Sequence, residues 1–186
     1  MQITLMRHGK PVLAPHGWVA GHEMGNWIAQ YDRSGIAADA ANAIPASSLQ
    51  AARDATLVIT STLARAQSSA HALGHATPEV DALFCEARLP YPLMRMPSLP
   101  PHAWAAVLRL GWLCGYTRGA DSVAAVRTRS RAATARLVAR ATDGPVLLVG
   151  HGVMNRFIAR ELTAAGWRAE TAHGARHWGS IRFRSP

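Results

Sequence analysis

Gln2-Ile3-Thr4-Leu5-Met6-Arg7-His8-Gly9 is the stretch from which the rest of the chain is read. A short, mostly apolar run stops at a basic residue and then at a histidine followed by glycine, which predicts a buried strand over residues 2–7. The pattern returns far downstream, where Val146-Leu147-Leu148-Val149 runs into Gly150-His151-Gly152. Ligands of an open parallel sheet bind outside the carboxyl ends of its strands. Two strands that each end in His-Gly therefore predict two imidazoles at one crevice.

The segments between these runs alternate strand and helix. Residues 57–61 and 79–84 predict two more strands, with a helix from about Leu63 to Leu73 between them that Gly74 stops. Residues 36–54 are alanine-rich and mostly helical, broken at Pro45, with Ser47 or Ser48 available to cap a second helix. Residues 120–142 place Val123, Val126, Ser130, Ala133, Leu137 and Ala141 on one helical stripe. Met154, Ile158, Leu162 and Ala165 mark the inner face of the helix after the second His-Gly, and Trp178 to Arg184 alternates as a last strand. Strands alternating with helices predict an α/β sandwich around a largely parallel sheet. Residues 10–35 lack clear periodicity and read as a functional loop or a short unseen helix. Residues 90–101 hold five prolines and exclude helix and central strand. With the apolar helix that follows, carrying Trp104, Leu108 and Trp112, they predict a small cap within 87–118 over the sheet's carboxyl edge. The whole chain, 1–186, reads as one domain with that cap.

With 186 residues, 49% hydrophobic and 17% charged, the chain has the composition of a folded globule, not of a disordered segment. No apolar run reaches the ~18 residues of a membrane span, and the first residues lack a signal peptide's pattern. The expected location is the cytoplasm. Cys85 and Cys114 have no metal or redox spacing and read as reduced thiols. The net charge of +9 raises the expectation of an anionic substrate.

The chemistry follows from the residue types. A neutral histidine is a nitrogen nucleophile, and its attack on phosphorus gives a phosphohistidine. Phosphoryl transfer then asks for positive charge around the phosphoryl oxygens. Arg7 adjoins the candidate nucleophile His8 and can hold two oxygens at once. Arg65, in Ser61-Thr62-Leu63-Ala64-Arg65-Ala66, sits in the first turn after the second strand, where free backbone N–H groups also favour an anion. His151 completes the cluster and, if protonated, helps to neutralise the transferred group. Glu86 directly follows the third strand and is the best placed acid to protonate the departing oxygen, with Glu23, Asp39 and Asp81 as rivals. Gly9 and Lys10 adjoin the nucleophile and count among the phosphate-binding candidates. Lys10 fits a pocket wall and a solvated loop equally well.

Arg7-His8-Gly9, the Ser61–Ala66 segment, Glu86 and Val149-Gly150-His151-Gly152, in this order and spacing, resemble the histidine phosphatase superfamily, the phosphoglycerate mutase-like or histidine acid phosphatase group. The resemblance implies that His8 is phosphorylated, that Arg7, Arg65 and His151 form the phosphate pocket, and that Glu86 is the proton donor. It also implies a three-layer α/β/α sandwich and neither metal nor organic cofactor. The chain differs from many members in having Lys10-Pro11 where they have Glu-Thr. It also has a proline-rich stretch where they have Trp-Glu-Gly after the acid.

The expected activity is hydrolysis of a phosphomonoester. Mutases of the group tend to carry added segments, so transfer back to substrate ranks second. A non-catalytic domain that binds a phosphorylated ligand or nucleic acid is the alternative from another class. Small phosphorylated metabolites and phosphoproteins both fit as substrates. Nucleic acid is not expected, because Arg127, Arg129, Arg131, Arg136 and Arg140 split into two groups on the helical wheel and read as solvated surface. The pairs His71/His75 and His173/His177 read as surface or packing histidines. Oligomeric state leaves no readable mark.

Overall fold

A computed structural model describes residues 1–12, 17–92 and 97–186. Parts of the expected 10–35 loop and of the proline-rich stretch thus lie outside the described residues. Six strands form one sheet in the order β3-β2-β4-β1-β6-β5. They are β1 Gln2–Arg7, β2 Leu57–Thr60, β3 Glu79–Val80, β4 Val146–Gly150, β5 Arg168–Ala172 and β6 Ser180–Arg184. The first four in that order are parallel, and β6 and β5 continue antiparallel. Every residue of β4 is buried, as its unbroken apolar sequence requires of a central parallel strand.

Alternation of side chains along the strands divides the core into two layers. Ile3, Leu5, Val146 and Leu148 pack against α6 (Val123–Arg140) and α7 (Gly152–Ala164). Met6, Val58, Leu147 and Val149 face the other way, onto α3 (Ala46–Asp54) and α4 (Ala64–Ala72). The expected α/β/α sandwich with a mostly parallel sheet is therefore what forms. The stripe read on α6 is its buried face: Val126, Ser130, Ala133 and Leu137 are inaccessible.

Local departures have local causes. Residues 10–35 contain a ten-residue helix, α1 (Met24–Arg33), and residues 36–44 a short one, α2 (Ala38–Asn42). Neither Ser47 nor Ser48 caps α3: Pro45 holds that position, and the buried Ser48 hydroxyl donates instead to the Trp178 carbonyl at 2.8 Å. The third strand stops at Val80, because the Asp81 carboxylate accepts from the Leu83 N–H at 2.9 Å and starts a single 3-10 turn. Pro101, assigned to the non-helical stretch, is the first residue of α5 (Pro101–Leu113), where its missing N–H costs nothing. Ala165 caps α7 and is exposed rather than inward. The edge strand β5 is exposed along its whole length, so no hydrophobic alternation announced it.

A smaller cluster joins Trp104 and Leu108 of α5 to Met24 of α1, with Trp27, Tyr91 and Leu99 around them. Trp112, farther along the same helix, belongs instead to the main core, its ring edge-on to Phe157. None of the described helices is long and apolar enough to cross a membrane.

Candidate active site

Three adjacent parallel strands, β2, β4 and β1, deliver the site from one edge of the sheet. Their register sets Arg7 beside Gly150 and Thr60 beside Val149, so His8, Ser61 and His151 emerge together. The His8 N–H donates to the Gly150 carbonyl at 3.0 Å, one bond beyond the strand pairing. The rings of His8 and His151 lie 5.1 Å apart between centroids. Both are inaccessible, at 2% and 0% exposure.

The tautomers follow from the partners. His8 Nδ1 faces the Gly9 carbonyl at 2.7 Å. A carbonyl only accepts, so Nδ1 carries the proton and Nε2 keeps its lone pair. Burial lowers the His8 pKa to about 3; the Gly9 bond opposes the shift, and Arg65, Arg7 and His177 add to it. His151 Nε2 lies 2.7 Å from the Ser61 hydroxyl. That oxygen already accepts from the Leu63 N–H at 3.2 Å. The hydroxyl can donate to Nε2, and the His151 proton then sits on Nδ1. Burial, then Arg65, hold His151 far below the usual histidine range, which favours its neutral form over the protonated one.

Arg65 enters from the first turn of α4. Its Nη1 donates to Asp32 Oδ1 at 3.0 Å and to the Tyr31 carbonyl at 3.2 Å, both on α1. Its guanidinium lies over the Tyr31 ring, 4.5 Å from the centroid. Arg7 gives one bond, from Nη1 to the Ala175 carbonyl at 3.2 Å. What remains is distinctive: Arg7 Nε, Arg65 Nε and His151 Nδ1 are fully buried and have no partner. Unsatisfied buried donors are costly, so the two guanidinium Nε–H groups, without partners among the described residues and near the His8 ring, suit an anion.

A cleft of about 770 Å³ opens beside His8, lined also by Arg7, Arg65, Glu86 and His177. Glu86 Oε1 accepts from the N–H groups of Met154 (2.9 Å) and Ala87 (3.0 Å), and Oε2 from that of Val153 (3.1 Å). Its carboxylate thus caps α7, where the helix dipole favours negative charge. Oε2 accepts once and has a lone pair to spare. Of the rival acids, Glu23 caps its own turn from Ala20, Asp39 pairs with Lys10, and Asp81 pairs with Arg136. None of the three lines the cleft; the second carboxylate that does is Asp32.

Two candidates stand elsewhere. Lys10 is 59% exposed and reaches Asp39 at 3.6 Å, outside the cleft lining, although its neighbour Pro11 is part of that lining. The Gly9 N–H is spent on the Ser69 hydroxyl at 2.9 Å and offers nothing to a phosphate. Gly9 matters for packing instead: a Cβ there would meet the Trp178 ring at 2.5 Å.

Four residues near the site escaped sequence reasoning. His177 is not on a helix with His173 but in the turn before β6, and its ring lies 5.5 Å from that of His8. Burial, then Arg7 and Lys10, lower it to about 4. Pairing the last strand with the first would have found it. Arg109 and Arg156 line the cleft from α5 and α7. Arg129, expected as solvated surface, is instead a strut, with Nη1 on the Cys85 carbonyl at 2.6 Å and Nη2 on the Glu86 carbonyl at 3.4 Å and Asp121 at 3.3 Å. Arg131, Arg136 and Arg140 pair with Glu161 or Glu79 on the surface.

Comparisons with known proteins bear on fold and family. The chain is similar to mycobacterial hydrolase 1, with a TM-score of 0.59 and 22% identity over 98% of this chain and 95% of that one. Mycobacterial glucosyl-3-phosphoglycerate phosphatase gives 0.57 and 22% over 87% and 78%. Phosphoglycerate mutase from Thermus thermophilus gives 0.50 and 22% over 87% and 84%. At such identities the likeness is one of fold. No curated protein matches the sequence. A model of the histidine phosphatase superfamily (branch 1) matches residues 37–179, a span that holds Arg65, Glu86 and His151 and begins after His8. The chain belongs to that superfamily.

Proposed function

We propose that this member of the histidine phosphatase superfamily hydrolyses phosphomonoesters through a phosphohistidine on His8. One observation carries the reading: the Arg7 and Arg65 Nε–H groups are buried without acceptors among the described residues, near a histidine whose Nε2 is held unprotonated and whose ring lies 5.1 Å from that of His151. The Nε2 lone pair attacks phosphorus in line, forming the P–N bond as the P–O ester bond breaks. Arg7, Arg65 and the neutral His151, through Nδ1–H, donate to the phosphoryl oxygens as charge spreads over them. Glu86 enters this step protonated on Oε2, the oxygen with the spare lone pair, and gives that proton to the leaving oxygen, becoming the carboxylate that the three N–H groups hold. Glu86 then takes a proton from water, whose oxygen attacks phosphorus, breaks the P–N bond and releases inorganic phosphate.

The wall of the cleft supports a single unit with a cap in 87–118, since Leu89, Tyr91, His102 and Arg109 all face the space beside His8. Transfer to water, rather than back to an organic hydroxyl, separates the phosphatase from the mutase found among the fold's other members. The test is turnover of p-nitrophenyl phosphate by wild type and His8→Ala. Wild type releases one phosphate per nitrophenol and traps an acid-labile, base-stable phosphoenzyme; the variant does neither. Unchanged turnover in the variant overturns the nucleophile, and phosphate found on an added product alcohol overturns hydrolysis.

A further inference from the structure

We infer that the cleft holds a second anion subsite, formed by Arg109 of α5 and Arg156 of α7, and that the substrate is a phosphomonoester whose alcohol part carries another anionic group. This deepens the phosphomonoester reading above and rests on it.

The observation is one half-buried unmatched cation, Arg109, with the exposed Arg156 as its cationic neighbour. Arg109 stacks on Trp112, its Cζ 5.1 Å from the ring centroid, and this fixes its direction. Among the described residues its Nη1, fully buried, has no partner. Among the described residues neither Arg109 nor Arg156 has an ion pair, whereas Arg65, Arg129, Arg136 and Arg140 each have a carboxylate. Both arginines line the same cleft as His8. The one carboxylate that acts on Arg109 is Glu86, whose oxygens are already held by three backbone N–H groups. A half-buried guanidinium beside a like charge, with a donor pointing at nothing, is costly unless a ligand supplies the anion.

Arg7 and Arg65 lie near the imidazoles and Arg109 near Glu86 and Arg156, and all five of these charged residues line one cleft. A substrate with its phosphoryl group on Arg7 and Arg65, and its ester oxygen at Glu86, extends its alcohol part toward the second pair. A carboxylate and a phosphate both satisfy paired guanidinium groups.

The experiment compares kcat/KM for ω-carboxyalkyl phosphates of two to six carbons with that for uncharged alkyl phosphates of the same lengths. At the matching length, wild type prefers the carboxylate by at least about tenfold. In Arg109→Met, and again in Arg156→Met, the ratio falls to within about twofold of unity, and Arg109→Lys keeps part of it. Because a ratio is read, general losses of activity cancel. α,ω-Bisphosphates in a parallel series tell whether phosphate is preferred to carboxylate. Should no ester be turned over, calorimetric binding of the same compounds to His8→Ala separates failure of the chemistry from failure of the subsite. The subsite is overturned if no length gives a preference in either assay, or if the preference survives in both methionine variants.

Discussion

The floor of the cleft and its wall are built by different means. The floor is the carboxyl edge of three hydrogen-bonded strands. Their register fixes His8, Ser61 and His151 to within a residue, and burial there leaves the side chains one position each. The wall is assembled from α1, α5 and the loop after β3, held by single long-range contacts such as Arg65 to Asp32 and Arg129 to Cys85. On the proposed function, the strand register serves the reaction and the single contacts select what reacts. Substitutions in the floor should therefore act on chemistry, and those in the wall on choice of substrate.

Arg65→Met tests the floor hardest. It should lower kcat/KM for p-nitrophenyl phosphate by about 10²–10³-fold, with a smaller change in melting temperature, since Asp32 is partly solvated and the buried volume stays filled. A loss of stability without loss of rate would make Arg65 a packing residue.

Gly9→Ala brings a Cβ against the buried Trp178 ring and should cost about 1–3 kcal/mol in urea unfolding. An unaffected midpoint would show that the floor yields more than its burial implies.

Proton linkage gives the next effect. In the unfolded chain these imidazoles bind a proton near pH 6.5; in the fold His8 does so only near 3, and His151 is also strongly lowered. Their contribution is complete above pH 6.5 and drains as the pH falls toward 3, at a slope approaching about 1.4 kcal/mol per pH unit for each. Denaturation at pH 7, 5.5 and 4.5 measures it. Replacing His151 by Asn should flatten the fall.

Arg129→Met removes the strut from the loop that carries Glu86. A roughly tenfold drop in kcat with little change in KM, and an altered pH–rate profile, is expected; Arg129→Lys should recover part of it. A parallel rise in KM alone would place Arg129 with the wall's selective groups. Arg136→Gln, far from the cleft in an exposed pair with Glu79, should change stability by less than about 0.5 kcal/mol and activity not at all.

The same division explains what the sequence disclosed. Strands 2–7 and 146–150 announce themselves because burial on both faces forces an apolar run, and the residue after each lands at the sheet's edge by geometry alone. Glu86 and Arg65 follow strands and are placed nearly as well. The wall leaves no such signal. Arg109 and Arg129 sit among many arginines on helices, and only tertiary contacts separate the strut from the solvated ones. His177 was hidden by an i, i+4 spacing that means nothing in a turn, and β5 by its full exposure. Lys10 and Gly9 were drawn in by adjacency along the chain, but hydrogen bonding and an ion pair turn them away.

Trp178 has a consequence for synthesis. It holds a left-handed backbone (φ 64°), donates its backbone N–H to the Arg7 carbonyl and its indole N–H to Ala40, and lies under Gly9. Strand β1 therefore waits for residues translated long after it, both for its neighbour β6 and for this brace. A nascent chain halted short of residue 178 has His8 but not the brace beneath Gly9, so the sheet edge that carries His8 is completed only once that residue has been made.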